Sequence, residues 1–474
     1  MQGSKTTSPA MVLITVCIVQ FMVPFMLTAV GVALPSLGRD IGASAMQLGL
    51  VEQLYVLSLA MTMLTFGRLG DIVGQRKVFL TGLIVFTTLT LSLGFTRSVE
   101  MVMAQRFFQG LGASMMLAGS LALVAAVYPP EMRGIKIGIV SACTYSGLST
   151  GPIIGGFVTD HFGWRSVFLM SAPLGLSAIA MCIAGMRGMK RNASGERMDW
   201  GGALVYGLSV GLFMRGAAHA KEMPVGPAMI VTGMIGMGLF LALESRLKSP
   251  LLDVSLLTGN RFFTMSCLAA MGNYAATFGV LFFMSLFLQY AKGFTAHEAG
   301  LVLLAQPAMQ VLASPFAGRL ADRFEPARLS SVGMLMTFFG LLLAAMTIAP
   351  STPIWLIVLE TGFMGAGFGI FITPNSTAIM GSVEPHYFGV ASGMVGAMRT
   401  LGMAVSMTTA ALILSLLMGE SAITRETLPE FMLGLRLGLS MFAVFSCLGI
   451  VLSVGRGKRR SGVVEVEPAA SPQN

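Results

Sequence analysis

The stretch Gly67-Arg-Leu-Gly-Asp-Ile-Val-Gly-Gln-Arg-Lys77 decides how the chain is read. It lies between two long apolar runs, about 48–66 and 78–95, so it is a tight loop joining two membrane-spanning helices. Solubility alone does not require three basic residues, an aspartate and three glycines in so short a loop. Gly67 and Gly74 allow two helix ends to approach closely. Arg68, Arg76 and Lys77 mark the loop as cytoplasmic. Asp71 is the odd member, because a carboxylate at the C-terminal end of a helix meets the unfavourable end of its dipole. It needs a partner elsewhere, either a cation or the N-terminus of another helix.

The rest of the composition agrees with a membrane setting. The 474 residues are 55% hydrophobic and 11% charged, against about a quarter charged in a soluble chain. The net charge of +9 does not call for nucleic acid. Sorted by the topology below, about 20 of the 30 Lys and Arg fall on one side, about 6 on the other and about 4 within spans, which is the positive-inside pattern. Cys17, Cys143, Cys182, Cys267 and Cys447 all lie in apolar runs, with neither a disulfide framework nor metal-ligand spacing. The first apolar run is long enough to span and shows no cleavage pattern of a signal peptide.

Fourteen spans are expected, at about 11–34, 48–66, 78–95, 101–128, 135–158, 166–186, 200–217, 227–243, 263–289, 299–317, 329–349, 353–380, 390–418 and 433–455. They group as a six-helix bundle over 1–186, a linker with two further spans over 187–262, and a second six-helix bundle over 263–455. The segment 456–474 begins as a basic cytoplasmic stop and reads as a disordered tail. An even span count with basic loops after spans 2, 4, 6, 8 and 10 puts both termini in the cytoplasm.

About 250 residues after the first loop stands an echo, Gly318-Arg-Leu-Ala-Asp322-Arg323, again between apolar runs. Two copies in one context imply two related halves. On these residues the chain resembles the major facilitator superfamily of secondary transporters. The family's loop signature is matched at Gly67, Leu69, Asp71, Gly74, Arg76 and Lys77, and in the second copy at Gly318, Leu320, Ala321, Asp322 and Arg323, with Glu325 where a glycine belongs.

The fifth span carries Gly138, Gly147, Gly151-Pro152 and Gly155-Gly156. Small residues four apart make a flat strip for close helix packing, and the proline can bend the helix. The full spacing resembles the antiporter motif of the same family, which marks exporters. Trp164, Arg165, Pro173 and Gly175 extend the resemblance into the sixth span, where Ser171 replaces the usual asparagine. Six, two and six spans resemble the fourteen-helix drug:proton antiporter branch.

Charged residues inside spans are few. Arg106, within Arg106-Phe-Phe-Gln109-Gly110, costs roughly 2.5–3.5 kcal/mol in a span unless paired or facing a cavity. The resemblance links it to proton transfer or to conformational hydrogen bonding; an arginine bonding helix-end carbonyls is the plainer alternative. Arg399 lies roughly 13 Å from the cytoplasmic end at 1.5 Å per residue, facing the central cavity. Arg215 and Arg436 are nearer helix ends, where snorkelling suffices. The carboxylates within spans are Glu52 and Glu360, the proton-coupling candidates alongside Arg106. Glu360, roughly 10 Å deep, is favoured over Glu52, which is nearer its helix end. Candidate cavity polar groups are Tyr55, Tyr145, Asn273, Gln306 and Asn375 with Arg399.

The first span departs from the family. In Met26-Leu-Thr28-Ala-Val-Gly31-Val-Ala33-Leu34-Pro35 the usual acid is Met26 and the usual asparagine is Gly31. This weakens the standard coupling scheme and leaves open a dedicated exporter of an anionic metabolite or lipid-like compound, with Arg106 and Arg399 as counter-charges. A Met- and Phe-rich interior suits lipophilic ligands. No Walker-type nucleotide motif occurs, so an ion gradient is the expected energy source.

The expectation is an all-α polytopic inner-membrane exporter, not an enzyme. It works as a monomer in the bilayer on a small-molecule substrate and protons, without cofactor, metal or nucleic acid. Asp71 is expected to lock the outward-open state at the start of the thirteenth span, near 390–392, with Glu131 pairing with Arg76 in the same cluster.

Overall fold

A computed structural model of the chain describes residues 7–186, 196–218, 224–247, 249–418, 423–424 and 426–456. Residues 187–195 of the basic loop and 457–474 of the tail lie outside them. Sixteen α-helices follow in order among the described residues: α1 (Pro9–Ile41), α2 (Ala45–Val73), α3 (Gln75–Leu93), α4 (Val99–Val127), α5 (Pro130–Phe162), α6 (Arg165–Gly185), α7 (Trp200–Ala218), α8 (Val225–Glu244), α9 (Val254–Gly259), α10 (Arg261–Leu286), α11 (Ala296–Leu303), α12 (Ala305–Arg323), α13 (Pro326–Thr347), α14 (Ile354–Gly381), α15 (Phe388–Met418) and α16 (Leu428–Val454).

Local sequence sets many of the ends. Ser44 with Gln47 and Thr295 with Glu298 form reciprocal capping boxes at α2 and α11. Ser98 caps α4 and Asn260 caps α10 through side-chain oxygens. Prolines open α1, α5, α13 and α16, where a missing N–H costs nothing. The tenth expected span is broken into α11 and α12 at Leu304. Pro307, in the first turn of α12, cannot donate to the preceding turn, which accounts for the break.

Among the described residues thirteen helical stretches are long and apolar enough to cross a membrane, α11 and α12 together making one of them. The nineteen-residue α7 falls short of that measure. It carries Arg215, which donates to Gln53 Oε1 at 3.0 Å instead of snorkelling. Arg436 likewise donates to Ile348 O, at 3.0 and 3.2 Å. The linker also contains α9, which periodicity did not show.

In a bilayer, helices associate by close packing rather than by expelling water, so small residues decide the contacts. α2 packs on α4 and α15; α5 packs on α1 and α12. α7 and α8 form a hairpin whose first helix lies on α2 and α15. The α2–α15 and α5–α12 contacts thus join the early helices to the late ones.

Candidate functional site

The motif loop turns sharply at Gly74, whose φ of 114° is a conformation that L side chains avoid. Upstream, α2 meets α15 at Gly67: a Cβ there would stand 2.4 Å from Gly389 O. That contact brings Asp71, fully buried, to the first turn of α15. Its Oδ1 accepts the Gly389 N–H at 2.8 Å and its Oδ2 the Val390 N–H at 3.0 Å. Gln75 donates to Asp71 Oδ1 at 3.0 Å. The carboxylate that was misplaced on its own helix therefore sits at the favourable end of another.

The second copy repeats the geometry. Asp322 Oδ1 accepts the Gly134 N–H at 2.6 Å and Oδ2 the Ile135 N–H at 2.8 Å, both near the start of α5. Here too glycines permit the approach: a Cβ on Gly134 would lie 2.5 Å from Gly318 O. Both junctions are at the end of the molecule that carries the basic loops. Among the described residues no ion pair joins Glu131 to Arg76. Glu131 is exposed in the first turn of α5, the helix that receives Asp322, so it belongs to the other junction; Lys77 is exposed to solvent.

A strap from the linker covers the first junction, which sequence reasoning missed. Glu196 binds Arg68 on one side and His386 Nε2 on the other, the latter at 3.0 Å. Pro250 O accepts from Arg68 Nε at 3.2 Å, and Asp253 Oδ2 accepts from Tyr387 at 2.8 Å. Burial works to raise the Asp253 carboxyl, but hydrogen bonds from Ser255 and Tyr387 outweigh it and hold the group below the usual aspartate range.

The α5 motif serves two neighbours. Gly138 faces α12, where a Cβ would meet Ser314 O at 2.6 Å. Gly147, Gly151 and Gly155 face α1, with Phe21 O at 2.2 Å, Thr28 Oγ1 at 1.9 Å and Ala29 Cβ at 2.7 Å from the corresponding Cβ positions. Gly156 has only Val32 nearby, at 3.5 Å, and Pro152 lies inside the helix.

Arg106 is fully buried, with its guanidinium 4.1 Å from the centre of the Tyr55 ring. It donates to Gln109 Oε1 at 2.8 Å and to Val51 O at 3.4 Å, while Nη2 has no hydrogen-bond partner. The neighbouring half-buried acid is Glu52, whose charge acts on Arg106. Glu360 is 2% exposed, accepts from Thr347 Oγ1 at 2.6 Å and leaves Oε2 without a donor. Among the described residues no arginine is bonded to it.

A cavity between the two sets of helices is lined by Gln20, Thr144, Tyr145, Tyr274, Ser376 and Arg399, with Met63 and Leu117 among its apolar walls. The Tyr145 and Tyr274 hydroxyls are 3.3 Å apart, Arg399 shares the cavity wall with them, and Phe368 stands edge-on to both rings. Of the expected cavity residues, Tyr145 and Arg399 line it and four do not. Tyr55 lies under Arg106 and donates to Val23 O at 3.4 Å. Asn375 ties α14 to α10 through Ser266 O at 3.0 Å. Asn273 and Gln306 are buried in helix packing. Gln20, Thr144, Tyr274 and Ser376 were missed; each is a polar residue within an apolar run, a signal shared by many residues that do not reach the cavity.

Comparison with known proteins places this geometry. The family profile of the Major Facilitator Superfamily matches residues 16–265 and 266–468. The chain is 28% identical over 397 residues to the riboflavin transporter RibZ of Clostridioides difficile, covering 83% of this chain and 86% of that protein. It is 29% identical over 387 residues to the multidrug resistance protein Stp of Mycobacterium tuberculosis, covering 81% and 71%. The crystal structure of the human organic anion transporter MFSD10 (TETRAN) superposes with a TM-score of 0.69 at 13% identity, covering 94% of this chain and all of that one. With both profile matches spanning nearly its whole length, the chain is a multi-pass membrane protein that belongs to the Major Facilitator Superfamily of transporters.

Proposed function

We propose that the protein is a proton-coupled exporter of amphipathic small molecules in the cell membrane, acting as a monomer with both termini in the cytoplasm. Residues 1–186 and 263–455 move against one another as two bundles, and 187–262 adds the hairpin that makes fourteen spans. The observation that carries the alternating-access reading is the pair of aspartate junctions. Both fasten one bundle's carboxylate to the other bundle's helix start, at the same end. With the basic end cytoplasmic, this is the outward-facing state, and Asp71 and Asp322 are its locks.

Coupling is assigned to Glu52 with Arg106 rather than to Glu360. A proton carrier must reach water in one state and lose its proton beside a cation in another. Glu52 is half-buried next to a guanidinium with an unused donor. Glu360 is sealed, and its bond to Thr347 gives it a structural place.

Arg399 favours a second reading of the substrate. Among the described residues it is the one charged group on the cavity wall, which carries no carboxylate. An amphipathic anion with an aromatic body fits that wall better than a cationic drug. Inverted vesicles offered cationic dyes and aromatic organic anions in parallel test this. Uptake of the anions alone supports the second reading, uptake of the cations supports the broader one, and uptake of neither overturns the export assignment.

A further inference from the structure

One pair of acids, Glu244 buried and Asp199 half-buried, lies outside the junctions, the cavity and the coupling site. Asp199 immediately precedes α7, with its carbonyl accepting from Ala203 N at 3.2 Å, and Glu244 ends α8. Between them stands Gly202, and the position of a Cβ there would be 2.0 Å from Glu244 Oε1 and 2.3 Å from Asp199 Oδ2. The missing side chain makes the room in which two carboxyl oxygens meet. Both oxygens face that one point, and so face one another.

Glu244 is 1% exposed, and neither its Oε1 nor Asp199 Oδ2 receives a hydrogen from another described group. Its Oε2 accepts the Leu252 N–H at 3.1 Å. The charged groups of this region are engaged or turned outward. Arg68 is held by Glu196 and Pro250 O, Asp253 by Tyr387 and Ser255, while Arg197 and Arg246 are exposed. No ion pair joins any of them to the two acids among the described residues.

Ionised carboxylates only accept hydrogen bonds, so two of them facing each other out of water repel. One proton between them turns the repulsion into a charge-assisted O–H···O⁻ bond that belongs to the pair. We propose that Asp199 and Glu244 share a single proton, forming a protonation site in the α7–α8 hairpin separate from the acids of either bundle. Glu244 also holds Leu252, two residues from the Pro250 carbonyl that receives Arg68. Glu244 therefore ties the hairpin to the strap over the Asp71 junction. Loss of the shared proton leaves two facing charges and loosens the hairpin at that end.

Full-length protein purified in detergent tests this without any substrate, so the outcome does not depend on the export reading. Infrared spectra during an alkaline titration should show one protonated-carboxyl band vanish in the parent, and that band should be missing in Glu244→Gln and in Asp199→Asn. The melting temperature of the parent should fall as pH rises through that transition. In Glu244→Gln, whose amide donates across the same gap, the fall should be lost. If the band and the slope persist in both variants, the pair shares no proton. If millimolar alkali or divalent cations set the parent's melting temperature instead, the pair is a cation site and the proposal is overturned.

Discussion

The Glu52 carboxylate rests against Gly31: its two oxygens lie 3.5 and 3.7 Å from the point where a side chain on Gly31 would begin. Ser171 Oγ on α6 donates to Met26 Sδ on α1 at 2.9 Å. The three departures from the family pattern in the first and sixth spans thus fall into two contacts. Met26 and Ser171, replacing an acid and an asparagine, satisfy each other, and the gap at Gly31 is where an acid from α2 comes to rest.

From this follows the coupling prediction. Glu52→Gln should cut proton-driven accumulation by about a hundredfold, the scale of a lost proton-transfer group, while leaving downhill exchange of substrate measurable. Glu360→Gln should retain most accumulation, because the amide still accepts from Thr347. Paired assays in reconstituted vesicles, with and without a proton gradient, check both; the reverse ranking returns the role to Glu360.

The locks make a conformational prediction. Asp71→Asn weakens two charge-assisted hydrogen bonds, each worth about 1.5–3 kcal/mol. The population closed at the basic end should then fall by at least about tenfold, with transport reduced and membrane insertion intact. Asp322→Asn should act in the same direction. Spin-label distances between the basic-end tips of α2 and α15 measure the shift.

Within the α5 motif the glycines should not be equivalent. Gly147→Ala drives a methyl into Phe21 O, a backbone atom 2.2 Å away, and should destabilise by about 1–3 kcal/mol. Gly156→Ala meets only Val32 at 3.5 Å and should be nearly neutral. Thermal unfolding in detergent separates the two.

Arg399 yields a substrate prediction. Arg399→Gln removes the cavity-wall arginine and should abolish transport of anionic substrates. Tyr274→Phe loses one hydroxyl of the Tyr145–Tyr274 pair on the cavity wall and should raise the apparent KM several-fold with little change in maximal rate. Initial-rate uptake over a range of substrate concentrations gives both parameters.

How much was legible in the sequence follows from what local patterns encode. Apolar runs and the two loop copies carried the helical architecture, because a span must satisfy its own backbone and so declares itself by length. Asp71 declared a need, since its helix could not stabilise it, and the start of α15 was the answer. Tyr55, Asn273, Gln306 and Asn375 show the limit. A polar residue in a span looks the same whether it faces a cavity or ties two helices, and rotation about the helix axis is set by neighbours distant in sequence. The Glu196 strap and the Asp199–Glu244 pair were invisible for the same reason: their partners are joined only by the folded linker.

The central claim is that export is driven by proton exchange, and inverted vesicles loaded with a lumenal pH probe test it most directly. With an acid lumen, adding a transported substrate should discharge the pH gradient as substrate accumulates, and collapsing the gradient beforehand should prevent accumulation. Accumulation of equal size after the gradient has been collapsed, with no proton movement on substrate addition, would contradict the account.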